Sequence, residues 1–228
     1  MYDTKRMPSG AVRTRKAQHV EDTRRALLRA ARDRFSERGY QATATEEIVQ
    51  RAGLTRGALY HHFRDKADLF EAVYVEVADE VNGSLRRRAA ADGSTDPWAL
   101  YRANNEIYLE AASANVAYRQ ICLIDGPAVF GWSGWSDRQD AEGGMRTISR
   151  YVAEAMDAGS LPRRPVGPVT QLLAALGNQA VMYIAHADDP TRAHEEMRAC
   201  VDWMLGCLEA DAPGYADDDD LTRQRKGA

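Results

Sequence analysis

Residues 43–70 read TATEEIVQRAGLTRGALYHHFRDKADLF, and the order of capping and breaking residues in that stretch predicts three helices in quick succession. Thr43, with Glu46 three residues on, has the form of a capping box. Ile48 and Ala52 recur at the four-residue spacing of one helical face. Gly53 is suited to close this helix, because the residue after a helix end often takes a left-handed backbone. Thr55 then predicts an N-cap for a second helix over residues 56–63. Asp65 caps a third, with Lys66 as its first residue and Asp68 as the partner of the cap. Helix, short turn, helix is the helix-turn-helix arrangement.

The second helix is read at about 100° per residue. Leu59 and Phe63 fall together and point into the domain. Gly57, Ala58 and His61 lie opposite, two of them very small, and Tyr60 and His62 flank the apolar stripe. Such a helix suits the major groove of a duplex: the low face approaches base edges while the shoulders reach phosphates. Lys66 and the free N–H groups at the start of the third helix add an anion site.

The stretch resembles the DNA-binding domain of TetR-family transcriptional regulators. Ile48, Ala52, Gly53, Leu54, Thr55, Gly57, Leu59, Tyr60, His62, Phe63, Lys66 and Leu69 match that family's pattern without a gap. The resemblance implies phosphate contacts from Thr45, Thr55, Tyr60, His62 and Lys66, and positions nearest the bases for Arg56, Gly57, Ala58 and His61. Val49 departs from the pattern, where the family more often has Ala; packing is expected to feel this more than recognition.

Charge distribution agrees with that reading. The net charge is −4, yet residues 1–70 carry 15 Lys/Arg against 9 Asp/Glu and the remainder 15 against 25. The positive footprint therefore coincides with the motif. A hydrophobic fraction of 44% suffices for a packed core, and no apolar run is long enough to span a membrane. The first twenty residues hold five basic groups and no apolar block, so no leader is expected. Three cysteines do not suggest a disulfide framework and fit a reducing cytoplasm.

Taken in order, residues 1–19 form a basic, aperiodic arm expected to be disordered, with Lys5, Arg6, Arg13, Arg15 and Lys16 available for DNA-backbone or minor-groove contacts. A first helix over residues 21–38 has Leu27, Ala31 and Phe35 at four-residue steps, and Arg24, Arg25, Arg29 and Arg32 outside. The helix-turn-helix domain spans residues 20–65. From residue 66 to 210 all segments read as helical, giving an all-α protein whose C-terminal domain, as the resemblance implies, serves ligand binding and dimerisation. The helix that opens at Lys66 links the two domains, and residues 90–97 form a linker. The glycine- and aromatic-rich residues 126–139 predict a broken helix, and residues 125–135 resemble a pattern found in the second half of one TetR subgroup. Residues 211–228 are expected to be a disordered tail.

The last two helices, about residues 166–187 and 190–210, are apolar on more than one face. By the resemblance they form a homodimer interface, so that two reading heads meet a pseudo-palindromic double-stranded operator. The resemblance also implies a repressor released by a small, hydrophobic effector, with Tyr101, Tyr108, Phe130 and Trp132 as lining; taken singly, each of these aromatics is better accounted for as core. His186, Asp188, Asp189, His194 and Glu195 cluster in sequence at a helix–helix turn, where capping explains them, so no metal is expected and no cofactor is implied. Cys122, Cys200 and Cys207 read as buried thiols. No phosphate loop, nucleophile elbow or HExxH motif is present. An all-α enzyme with an unrecognised site and a helical protein-interaction module are the alternatives, and a gel shift with the DNA upstream of the gene separates both from a regulator.

Overall fold

A computed structural model describes residues 15–89, 94–141 and 143–209, and among these every regular element is helical. In order they are α1 (Arg15–Arg38), α2 (Thr45–Ala52), α3 (Arg56–His62), α4 (Lys66–Ala89) and α5 (Pro97–Ala114), a π-helical segment (Tyr118–Asp125), then α6 (Gly126–Ala141), α7 (Gly144–Ala158), α8 (Val166–Ala185) and α9 (Pro190–Glu209). No described helix is long and apolar enough to cross a membrane. Packing divides the chain between Val73 and Tyr74, inside α4 rather than at its start.

The N-terminal unit closes around Leu27, Ala31 and Phe35 of α1, which meet Ile48 of α2, Leu59 of α3 and Leu69 and Phe70 of α4 in a fully buried cluster. The Phe35 and Phe70 rings pack edge to face at 5.3 Å, and Tyr40 meets Phe70 at 5.0 Å. Each such side chain withdrawn from water contributes about 1.5–3 kcal/mol. The local stop signals act as their chemistry requires. Gly53 takes φ 66°, ψ 31°, and its N–H returns to the α2 carbonyls. Thr55 Oγ1 accepts from Ala58 N–H at 3.2 Å, and Asp65 Oδ1 accepts from Asp68 N–H at 2.8 Å.

Three local expectations need correction. The residue preceding α2 is Ala44, which has no side chain to cap with. Thr43 is buried, and its hydroxyl bonds back to Gly39 O at 2.8 Å, with Arg34 O at 3.2 Å, so it satisfies the carbonyl end of α1. Asp68 reaches Arg64 N–H at 2.9 Å, one residue before the expected partner. Helix α1 begins at Arg15, so residues 15–19 of the predicted arm are helical. Its opening is supported by pairs across one turn, such as Gln18 to Asp22 at 3.1 Å and Arg25 to Glu21 and Asp22, which apolar periodicity does not register. The rest of the arm and the tail beyond residue 209 lie outside the described residues.

The C-terminal unit is a helical bundle. Asp96 caps α5 through Trp98 N–H at 3.1 Å, and Pro97 occupies the first turn, where its missing N–H costs nothing. The predicted break in the glycine- and aromatic-rich stretch is real: the π-helical segment runs into α6, which kinks at Gly131 (φ 70°, ψ 167°). At Gly126 a Cβ would fall 3.0 Å from Trp135 Cδ1 and 3.1 Å from Tyr74 Cε2, so any larger residue would press on both rings. The Trp135 indole donates to Cys122 O at 2.9 Å. Leu173, Val181 and Ile184 of α8 and Val201 and Leu205 of α9 are buried.

Candidate functional site

Helix α3 turns one side into the N-terminal unit and the other to solvent. Leu59 and Phe63 are buried, Arg56, Gly57, Tyr60 and His61 are exposed, and Ala58 and His62 are half-buried. The outward surface is therefore two very small residues between a guanidinium, an imidazole and a phenol. Thr55 is exposed, and its hydroxyl still has its proton to donate after accepting from Ala58. Thr45, at the first position of α2, is half-buried and leans on Glu46 at 3.2 Å.

Arg56 is held in place without DNA. Its Nη1 lies 2.7 Å from Glu46 Oε1, and its guanidinium sits 5.8 Å from the centre of the Tyr60 ring. The Tyr60 hydroxyl and the Glu46 carboxylate hold the Arg56 pKa above its ordinary value. Its own backbone N–H, and then Arg56, keep the Glu46 carboxyl below the usual range. Burial lowers the pKa of His62, with the charges of His61 and Arg24 adding to the effect. Arg24, on α1, lies 5.1 Å from the Phe63 ring centre, which brings one arginine of the first helix beside α3.

Lys66 has a structural duty that sequence reading missed. Its Nζ donates to Tyr40 O at 2.9 Å and Thr43 O at 3.0 Å, and sits 4.0 Å from the centre of the Tyr40 ring. The ammonium ties the α1–α2 connection to the start of α4. Lys66→Met is therefore expected to lower the stability of the protein by about 2 kcal/mol, the scale of hydrogen bonds made by a charged donor, as read from urea melts.

A second feature lies wholly within the C-terminal unit. A cavity of about 510 Å³ is lined by Tyr74 and Leu85 of α4, Tyr101 and Tyr108 of α5, Met145 and Tyr151 of α7, and Leu173 and Gly177 of α8. Tyr108 donates to Asn178 Oδ1 at 2.6 Å, and its oxygen lies 3.4 Å from that of Tyr118. Burial pushes the Tyr101, Tyr108 and Tyr118 phenols well above their ordinary pKa, so they face the cavity as neutral hydroxyls. Phe130 is not part of this lining; it packs edge-on to Tyr74 at 5.3 Å and under the Arg138 guanidinium at 3.9 Å. The side chain of Trp132 lies outside the described residues. The lining also includes Asn82, Asn104, Asn105, Gln139 and Asn178, which sequence reasoning missed. The available signal was a pair of adjacent amides, Asn104-Asn105, in the middle of α5.

The remaining candidates are otherwise engaged. His186 bonds Met182 O at 2.8 Å, Asp189 caps α9 through Arg192 N–H at 3.1 Å, and His194 lies 3.3 Å from Glu106. Cys122 is buried as expected, whereas Cys200 and Cys207 are exposed on α9.

Comparison with known proteins matches residues 27–73 to a family described as bacterial regulatory proteins, tetR family, and residues 98–208 to a tetracyclin repressor-like C-terminal domain. A crystal structure of a TetR-family transcriptional regulator from Pectobacterium atrosepticum is 31% identical, covering 86% of this chain and 97% of that one, with a TM-score of 0.64. The regulator AcrR of Shigella flexneri is 38% identical over 107 residues, 47% of this chain and 48% of that protein. The regulator AcuR of Cereibacter sphaeroides is 32% identical over 112 residues, 49% of this chain and 50% of that protein. The chain thus spans about half the length of the curated relatives it matches.

Proposed function

The chain belongs to the TetR family of bacterial transcriptional regulators, and on that footing we propose that it is a cytoplasmic repressor that binds a pseudo-palindromic operator as a homodimer and is released by a small effector. The observation that carries the DNA-binding part is the outer surface of α3: Gly57 and Ala58 leave it low, and Arg56, Tyr60 and His61 border it in water. A two-fold dimer brings two such helices to half-sites one helical turn, roughly 34–36 Å, apart.

Homodimerisation is supported by what one protomer leaves exposed. Leu172 of α8 is 71% exposed and Trp203 of α9 is 70% exposed, with Tyr183, Met204 and Leu208 also in solvent on the same two helices. Large apolar side chains gathered on two helices mark an interaction surface, and in a two-fold contact the same patch serves both partners.

The cavity supports the effector reading, since its volume lies within the range of small-molecule sites. Helix α4 carries residues of both units and supplies Tyr74, Ala78 and Leu85 to the cavity wall. A ligand releases DNA only if it favours the conformation in which the reading heads are wrongly spaced; equal affinity for both states shifts nothing.

A gel shift with the DNA flanking the gene tests this reading, with a retarded band expected and its absence at low salt counting against it. In the same assay Arg56→Ala is expected to reduce discrimination between operator and mutated half-site by roughly 5- to 150-fold, the worth of one bidentate base contact. Release of Glu46 from its ion pair would not produce that loss, so Glu46→Gln is the control.

A further inference from the structure

We infer that the cavity of the C-terminal unit takes a hydroxylated aromatic carboxylate, an inference that rests on the effector reading above and gives it a chemical class. Asn105 is only 8% exposed and Tyr101 only 2%. Both line the cavity, and neither the Asn105 amide nor the Tyr101 hydroxyl has a hydrogen-bond partner among the described residues. They stand one turn apart on α5 and so share a face. Buried polar groups are as a rule paired. The polar atoms of these two open onto the cavity, where water or a ligand that displaces it pairs them.

Opposite them, Gly177 keeps the space open. A Cβ at that position would lie 3.3 Å from Asn105 Oδ1 and 3.3 Å from Tyr108 Cε1. Asn178 spends its carbonyl oxygen on Tyr108, which leaves its amide hydrogens as donors. The site thus offers amide and hydroxyl groups along one wall and tyrosine rings around them.

Charge narrows the class further. Arg86 and Arg150 are on the lining, and no acidic residue is among the described lining residues. Arg150 has Glu154 at 3.7 Å, whereas Arg86 has no ionic partner among the described residues. Organic cations are disfavoured there. An alkyl chain would fill the volume but strand the Asn105 amide and the Tyr101 hydroxyl. A planar ring stacks against tyrosines, its hydroxyl groups satisfy Asn105 and Tyr101, and a carboxylate answers Arg86.

Titration calorimetry of the full-length protein tests this, with 3,4-dihydroxybenzoate, catechol, decanoate and benzyltrimethylammonium as probes. Saturable one-to-one binding of 3,4-dihydroxybenzoate is expected, at least tenfold tighter than decanoate or the cation. Asn105→Leu should weaken it tenfold or more. Arg86→Gln, at an exposed position where folding is not at stake, should weaken 3,4-dihydroxybenzoate but leave catechol unchanged. Absence of dihydroxybenzoate binding, tighter binding of decanoate or the cation, or equal loss of both phenols in Arg86→Gln overturns the assignment. The two readings fail separately: decanoate that binds and releases DNA overturns this chemistry and keeps the regulator, while dihydroxybenzoate that binds a protein indifferent to duplex DNA keeps the chemistry and overturns the regulator.

Discussion

Raising the salt from 50 to 200 mM is expected to weaken operator binding by about 10³–10⁵-fold, the loss for a protein that makes 6–10 phosphate contacts. The proposed dimer has the groups to do so. Cations carry that loss: Arg24 adjoins α3 from α1, and Lys5, Arg6, Arg13, Arg15 and Lys16 of the basic arm would join it, one set from each protomer, whereas Thr45, Thr55, Tyr60 and His62 position phosphates without neutralising them. Many of the other arginines of the N-terminal unit do not enter this count, because they already answer carboxylates: Arg38 pairs with Glu47 at 2.9 Å, and Arg51 with Asp33 at 2.9 Å. A basic count taken from the sequence therefore overstates the phosphate contacts, and the slope of log affinity against log salt measures the real number. A loss under tenfold over that range would mean that few phosphates are neutralised and that α3 is not the main contact.

The second large effect concerns the exposed apolar residues of α8 and α9. The double substitution Leu172→Asp, Trp203→Asp is expected to turn the dimer into a monomer and to weaken operator binding by roughly 10²–10⁴-fold, the advantage that linking two binding events confers. Both side chains are largely exposed in the single chain, so the fold of each protomer should survive, and an unchanged circular dichroism melt would verify that. Sedimentation velocity reads the association state, and a gel shift reads the binding. A dimeric double variant with full affinity would move the interface elsewhere.

How much of this was legible in the sequence depended on whether a residue acts on its near neighbours. Gly53, Thr55 and Asp65 cap or terminate helices through contacts within three residues, and their spacing is enough to find them. Thr43 had the same local form but a competing partner. Its hydroxyl is spent on the free carbonyl end of α1, and spacing cannot tell which of two nearby backbone groups prevails. Lys66 read only as part of an anion site because its partners, Tyr40 O and Thr43 O, are carbonyls brought near only when α1, α2 and α4 pack.

The cavity was the least legible part. Aromatic residues in the second half suggested a hydrophobic site, yet Trp98 stacks on Tyr101 at 5.0 Å as core and Phe130 packs outside the lining. The amides that give the cavity its chemistry come from α5 and α8, distant in sequence, and Asn105 meets Gly177 only in the folded bundle. A void is a property of several helices together, and no one helix's periodicity reports it.

Hydroxyl-radical footprinting of the protein on the duplex flanking its own gene tests the central claim most directly. Two protected half-sites one helical turn apart, each lost when Gly57→Glu fills the low face of α3, are the predicted result. Protection of a single isolated half-site, or no protection in low salt, would contradict it.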